Sequence, residues 1–295
     1  MRLDDGRILA WYELGDPQGR PCVYVPGTPE SGLAGMAYDA AARRAGVRWV
    51  SVDKPGYGHS DALPGRSLSM FADDVRQLAD HLGLGDFAVA GESGGGPHAL
   101  AVAVILGARV GPVVLLGSAG PGGQRGVPRG MTPMNTLLYW CLQFGTTGVR
   151  GPLAVMAASM RHARLMRLLG WFLDAGVPEA DRRLAGDPEY APRMSAVPDA
   201  FRQGTSAAAA ELVMLRKAWD INLADISGDV HVWHGRLDAN VPFALGQQLS
   251  RQIPGSTTHF MDDSAHSVGF VHRDAVMKLI ATTVESTLAS GGPDA

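Results

Sequence analysis

Cysteine is nearly absent from this chain: there are two in 295 residues, Cys22 and Cys141, far apart and each in apolar surroundings. That argues against a disulfide framework and fits two buried thiols in a reducing, cytoplasmic compartment. Excess charge of either sign is also missing, and a formal net charge of −3 leaves no electrostatic footprint for nucleic acid. No apolar run is long enough for a membrane span. The longest region, residues 99–116, is cut by Gly107, Arg109, Gly111 and Pro112 and reads as a helix followed by a buried strand. Residues 1–6 hold no apolar signal core. The nine histidines include no H-E-x-x-H and no zinc spacing, and His231 and His234 point to opposite faces of one strand. No metal and no other cofactor is therefore expected. No internal repeat occurs, and no low-complexity tract beyond residues 207–210.

What is present is a globular composition, 46% hydrophobic, long enough for one large domain or one domain with an insert. Buried-strand candidates at 21–25, 48–53, 87–91, 110–116, 230–233 and 257–261 alternate with helical patterns at 33–45, 67–82, 99–106, 243–252 and 271–288. A short strand is expected over 6–13, and a frayed tail over 290–295. In 67–82, Leu68, Phe71, Val75, Leu78 and Leu82 recur at helical spacing behind Ser67, a natural N-cap. Such alternation predicts an α/β fold, with a mostly parallel central sheet and helices on both faces. Ligands of such sheets sit outside the carboxyl ends of the strands, where the loops after Val25, Asp53, Gly91 and Leu116 fall.

Residues 120–224 break this pattern. They offer no convincing strand, only helical patterns such as Met134, Leu137, Leu138, Cys141, Leu142 and then Leu165, Leu168, Leu169, Phe172. Arg161, Arg164 and Arg167 lie on the other, solvated face of the second pattern. Seven of the twelve methionines fall in this segment, a residue suited to adaptable apolar surfaces. The expected organisation is a core of residues 1–120 and 225–295 with a helical cap of residues 121–224 inserted over the site. The run Gly120-Pro121-Gly122-Gly123 offers hinge positions.

The stretch that organises the rest is Gly91-Glu92-Ser93-Gly94-Gly95. An apolar strand ends at Gly91 and an apolar helix follows, so Ser93 sits on a sharp strand-to-helix turn, the context of a nucleophile elbow. The helix behind it aims unpaired N–H groups and its positive dipole end at the same point.

Three further motifs complete a resemblance: Asp53-Lys54-Pro55-Gly56-Tyr57-Gly58-His59-Ser60, His234-Gly235-Arg236-Leu237-Asp238, and His266 in the loop after the last strand. Over residues 1–120 and 225–295 the chain resembles the α/β-hydrolase superfamily, in its serine-nucleophile branch with a helical cap. The resemblance implies Ser93 as nucleophile, Asp238 as acid and His266 as base, in the order Ser, Asp, His of that fold. Asp262 and Asp263, just before His266, stand as alternative acids. The resemblance also implies that the Gly94 and Thr28 N–H groups form an oxyanion hole. Pro26-Gly27 stands where the superfamily usually has His-Gly, and the proline removes one backbone donor but leaves that of Thr28. Ala265 precedes the histidine where many members have glycine. Gly27, Glu30, Glu92, Met131 and Met134 are expected beside the substrate. Asp53 is read as a turn former, and His59 and His98 as structural.

The resemblance implies a serine hydrolase, of esterase or thioesterase type, that cleaves a largely apolar small-molecule ester or thioester through an acyl-serine. Three alternatives remain: a thioesterase for acyl or polyketide chains, a cofactor-free lyase or cyclase, and a non-catalytic binding protein on the same fold. Dehalogenases and epoxide hydrolases of this fold need a carboxylate at the elbow, which Ser93 is not. The methionine-rich roof leads to the expectation of a large, mainly apolar pocket for long acyl or polycyclic groups. In such a pocket each buried methylene contributes ~0.8 kcal/mol.

Overall fold

A computed structural model describes residues 1–120, 122–123 and 126–282. Its strands are β1 (Trp11–Gly15), β2 (Arg20–Val25), β3 (Val47–Val52), β4 (Phe87–Glu92), β5 (Val110–Leu116), β6 (Val230–Gly235) and β7 (Thr257–Met261). They form one sheet in the order β1-β3-β2-β4-β5-β6-β7, parallel throughout except for β1 against β3.

Period-two alternation splits the core into two layers. Val23, Val25, Val50, Val52, Val89, Val113 and Leu115 face one way, onto α2 (Leu68–His81) and α3 (Gly95–Leu106). Cys22, Tyr24, Trp49, Ala88, Ala90, Val114 and Leu116 face the other way, onto α1 (Asp39–Ala45) and the C-terminal helix, which carries Val276, Met277 and Ile280. Both faces are covered, so the inner strands are apolar on both sides, as the sequence predicts for a parallel sheet. Ser67 caps α2, its hydroxyl accepting from Met70 N–H at 3.2 Å.

Two expected elements come out differently. The strand expected over 6–13 runs instead over Trp11–Gly15. Residues before it are used in a tight turn, with Gly6 at φ 88° and a single Arg2–Ile8 bridge. The helix expected over 33–45 winds as a 3-10 helix over Gly32–Tyr38 and becomes α-helical at α1. Two glycines weaken α-helix in the first half, whereas Asp39-Ala40-Ala41-Ala42-Arg43-Arg44-Ala45 favours it.

Between β5 and β6 the described residues form helices only: α4 (Pro133–Cys141), α5 (Gly145–Arg161), α6 (Ala163–Leu173), α7 (Glu179–Arg182), α8 (Ala196–Ala200) and α9 (Ser206–Arg216), with short 3-10 turns. They bury their own cluster of Leu138, Cys141, Leu142, Val149, Leu153 and Phe201, into which the core inserts Tyr57 from the loop after β3. The sheet then resumes with β6, α10 (Phe243–Gln252), β7, α11 (Val268–Val271) and α12 (Arg273–Thr282). The rest of the helix expected over 271–288, the tail 290–295 and Pro121 of the hinge run lie outside the described residues. No helix among the described residues is long and apolar enough to cross a membrane.

Chain order reverses direction between β2 and β4: β3 lies on one side of β2, and β4 and β5 on the other. The loops leaving these two strands open a crevice at the carboxyl edge. One carries Gly27 and Thr28, the other Ser93.

Candidate active site

Ser93 has φ 51°, the one positive φ at a non-glycine residue among the described residues. Such a conformation costs about 1–3 kcal/mol and persists where its surroundings over-determine it. Here they do. Ser93 N–H donates to Leu116 O at 2.9 Å, and Ser93 O accepts from Ala119 N–H at 2.8 Å and Gly96 N–H at 3.1 Å. The end of β5 thus holds the elbow. A Cβ at Gly95 would lie 2.6 Å from Pro26 O, so only glycine lets the elbow pass the end of β2.

His266 follows β7, and its Nδ1–H donates to Asp238 Oδ2 at 2.9 Å. That leaves Nε2 as an acceptor. The carboxylate is itself fixed, because Asp238 Oδ1 accepts from Asn240 N–H and Val241 N–H, both at 2.8 Å. His234, whose Nε2 donates to Val241 O at 2.9 Å, lies 3.3 Å from Asp238 Oδ2. Burial pushes the His234 imidazole down, so it stays neutral beside that carboxylate. Of the alternative acids, Asp262 is exposed and pairs with Arg236 at 2.5 Å, and Asp263 is exposed beside Ser264. Asp238 is the acid that meets the imidazole.

A second carboxylate reaches His266 from the helical segment. Asp181 of α7 accepts from His266 N–H at 3.1 Å and Ser267 N–H at 3.0 Å. Burial pushes the His266 imidazole down, but Asp238, by charge and by hydrogen bond, together with Asp181 and Glu92, outweighs it. The net result is a pKa of about 9.

The loop after β2 is gripped from behind. Lys54, fully buried, donates to Gly27 O at 2.9 Å and Thr28 Oγ1 at 3.2 Å, and pairs with Glu211 of α9 at 2.8 Å. Gly27 O and Thr28 N–H belong to one peptide plane and point in opposite directions. Holding the carbonyl on Lys54 therefore turns the Thr28 N–H the other way. Among the described residues neither the Thr28 nor the Gly94 N–H meets a protein acceptor. Thr28 Oγ1 lies against Gly94, and a Cβ on Gly27 would lie 3.3 Å from Ser93 Cβ. These two donors and the serine thus share one small space.

Ser93, Thr28 and His266 stand where two chambers meet. The smaller, of about 190 Å³, is walled by Gly94, Leu142, Leu212, Leu215, Val241 and Leu245, with Asn135, Tyr139, Asn240 and Arg216 among its other lining residues. The larger, of about 570 Å³, adds Gly27, Glu30, Asp181, Tyr190, Arg193 and Met194.

Three expected substrate contacts are corrected. Glu92 lines neither chamber. It is fully buried, accepting from Tyr24 OH at 2.5 Å, Tyr38 OH at 3.1 Å and Arg193 at 2.8 Å. As the last residue of β4 it points to the sheet face opposite the preceding Gly91. Met131 and Met134 also line neither chamber. On α4 the chamber face is Asn135 and Tyr139, followed by Leu142, while Met134 falls on the neighbouring stripe with Leu138 and Cys141 and packs into the segment's own cluster. The expected roomy pocket is divided in two: the larger chamber has a mainly apolar wall, and the smaller one carries Asn135, Asn240 and Arg216 among its leucines. Glu30 does line the larger chamber, but its carboxylate is bound by Arg193 at 2.9 and 2.8 Å and by Gly27 N–H at 3.2 Å. Asp53 and His98 take structural places. Asp53 accepts from Gly32 N–H at 2.6 Å and His59 N–H at 2.9 Å, and His98 is buried with Nδ1 3.0 Å from Gly94 O. His59 contributes its backbone to the Asp53 turn and stays exposed. Sequence reasoning missed Asp181, Arg193, Glu211 and Arg216. All four come from the helical segment, where no motif marks them.

The model of the alpha/beta hydrolase family matches residues 22–279. The chain is 37% identical over 118 residues to a dihydrolipoyllysine-residue acetyltransferase component of an acetoin cleaving system from Pseudomonas putida, covering 40% of this chain and 32% of that protein. The match thus spans about a third of that relative's length. It is 25% identical over 253 residues to a 2-hydroxy-6-oxononadienedioate/2-hydroxy-6-oxononatrienedioate hydrolase from Escherichia coli O81, covering 80% of this chain and 76% of that one. Among solved structures, an esterase from Exiguobacterium antarcticum superposes with a TM-score of 0.66 at 22% identity, covering 98% of each chain, a likeness of fold. With the match extending from β2 into α12, the chain belongs to the alpha/beta hydrolase family.

Proposed function

We propose that the protein is a serine carboxylester hydrolase working through an acyl-serine, with residues 121–224 acting as a cap that selects the substrate. The observation that carries this reading is the 2.9 Å bond from His266 Nδ1–H to Asp238, which leaves Nε2 to take the proton of a serine held at φ 51° on the same chamber wall. Ser93 Oγ attacks the ester carbonyl as Nε2 removes its proton. Asp238 holds the tautomer and stabilises the imidazolium. Negative charge building on the carbonyl oxygen meets the Gly94 and Thr28 N–H groups. The imidazolium then protonates the leaving alcohol, and water, deprotonated by the same imidazole, releases the acid.

The small chamber favours short over long acyl groups on its side, so the thioesterase reading for long chains finds no support in it. The Escherichia coli relative is named as a hydrolase and the Exiguobacterium antarcticum neighbour as an esterase, in keeping with the proposal. A fluorophosphonate should label Ser93 stoichiometrically, and Ser93→Ala and His266→Ala should each abolish turnover of short p-nitrophenyl esters. Asp238→Asn should lose roughly 10⁴-fold. Absence of labelling, or full turnover by Ser93→Ala, would refute the proposal.

A further inference from the structure

The smaller chamber holds a charge that nothing balances. Other guanidinium groups near the site have a carboxylate. Arg193 meets Glu30 and Glu92 at 2.8 Å, Arg66 faces Glu211 at 3.8 Å, and Arg182 faces Glu179 at 4.0 Å. Arg216, the last residue of α9, lines the chamber and has no carboxylate partner among the described residues. Among the described residues its N–H groups reach only main-chain oxygens, Tyr139 O at 3.4 Å and Gly126 O at 3.3 Å. Both distances are long for such bonds. Its guanidinium carbon lies 5.5 Å from the Tyr139 ring centroid. Among the described residues no acidic side chain lines this chamber. The polar neighbours Asn135 and Asn240 are neutral, and the amide of one donates to the other at 3.0 Å.

Arginine keeps its charge throughout the pH range in which a protein functions, and its planar fork matches a carboxylate bidentately. A half-buried guanidinium among leucines, held among the described residues by two long bonds to carbonyls, keeps N–H donors free for an anion. The chamber opens directly onto Ser93 and His266, so an anion on Arg216 would belong to the molecule being cleaved. We propose that Arg216 is an anion subsite, and that the substrate is a short ester whose chamber-filling part ends in a carboxylate. This rests on the ester-hydrolase reading and narrows its substrate class.

The test compares matched pairs, such as the p-nitrophenyl monoester of glutaric acid against the p-nitrophenyl ester of glutaramic acid, in which a neutral amide replaces the carboxylate. Wild-type protein should show kcat/KM at least about tenfold higher for the anionic ester, as one charge-assisted contact implies. In Arg216→Gln that ratio should collapse towards one, and Arg216→Lys should recover part of it. Glutarate titrated calorimetrically into Ser93→Ala should bind, and binding should vanish in Ser93→Ala/Arg216→Gln. A ratio near or below one in wild-type protein, together with no glutarate binding, overturns the subsite. If Ser93 is labelled by a fluorophosphonate in that case, the hydrolase reading survives its loss. If glutarate binds through Arg216 but no ester is cleaved and no serine is labelled, the subsite stands and the hydrolase reading falls.

Discussion

His266 is drawn in two directions, and both have consequences for pH. As a base it works only when neutral, and Asp238 and Asp181 hold its pKa at about 9. The kcat/KM of the uncomplexed enzyme should therefore climb from neutral pH towards pH 9, well above the ordinary histidine range near 6.5. Replacing Asp181 by Asn removes one negative charge and keeps an acceptor for one of the two N–H groups, that of His266 or that of Ser267. The midpoint should move to lower pH. An unmoved midpoint would mean that Asp181 serves only as a tether. Stability runs the opposite way. The folded pKa lies above the unfolded one, so the stabilisation from the ion pair is complete below about 6.5 and is lost as pH rises through about 9. Urea midpoints measured at pH 6 and pH 9.5 should differ less in Asp181→Asn than in the parent. The base and its acid were legible as residues, because an Asp after one strand and a His after a later one follow the order of the fold. The tether was not. Asp181 lies 85 positions from His266 in a segment without motifs, and only the packing of α7 brings them together.

At the scale of elements, α9 reaches the oxyanion donor through a chain of contacts. Glu211 holds Lys54, Lys54 holds Gly27 O, and that carbonyl fixes the direction of the Thr28 N–H. Burial raises the Glu211 carboxyl, but Lys54, Arg66 and His98 bring it down to about 2, so it is ionised throughout the working range. Glu211→Ala strands a buried ammonium and should lower unfolding free energy by roughly 3–5 kcal/mol. The double variant Lys54→Met/Glu211→Leu should recover most of that stability in a denaturant titration. Its catalytic rate should stay low, because the Gly27 carbonyl has lost its anchor. Full recovery of rate as well as stability would show that the anchor does not orient the donor. Helices α4 and α6 were visible in outline from apolar spacing. Which stripe faces the chamber was not, since Met134 and Asn135 are adjacent in sequence and only packing against α5 and α6 decides between them. Leu168 of α6 shows the same limit: its apolar spacing reads as burial, yet it is 70% exposed.

For the whole molecule, the sheet was the most readable part. Strands buried on both faces leave little choice but a parallel sheet with two helical layers, and a strand order that reverses at β2 and β4 puts the crevice between their loops. What the chain places above that crevice has a further consequence. Ser93 lies at the junction of two chambers unequal in size and lined by different residues, with the oxyanion donors and His266 fixing a third and a fourth direction around the reacting carbon. Four distinct directions around one centre make the site chiral towards its substrate. A racemic ester with its stereocentre beside the carbonyl should therefore be resolved, one enantiomer seating its smaller group in the 190 Å³ chamber and the other forced to invert that arrangement. A misfit of one or two methylenes corresponds to a ratio of roughly 10–200 between enantiomers. Chiral chromatography of the residual ester at half conversion would measure it. Leu215→Gly, which enlarges the smaller chamber, should erode the preference and leave the handedness of the faster enantiomer unchanged.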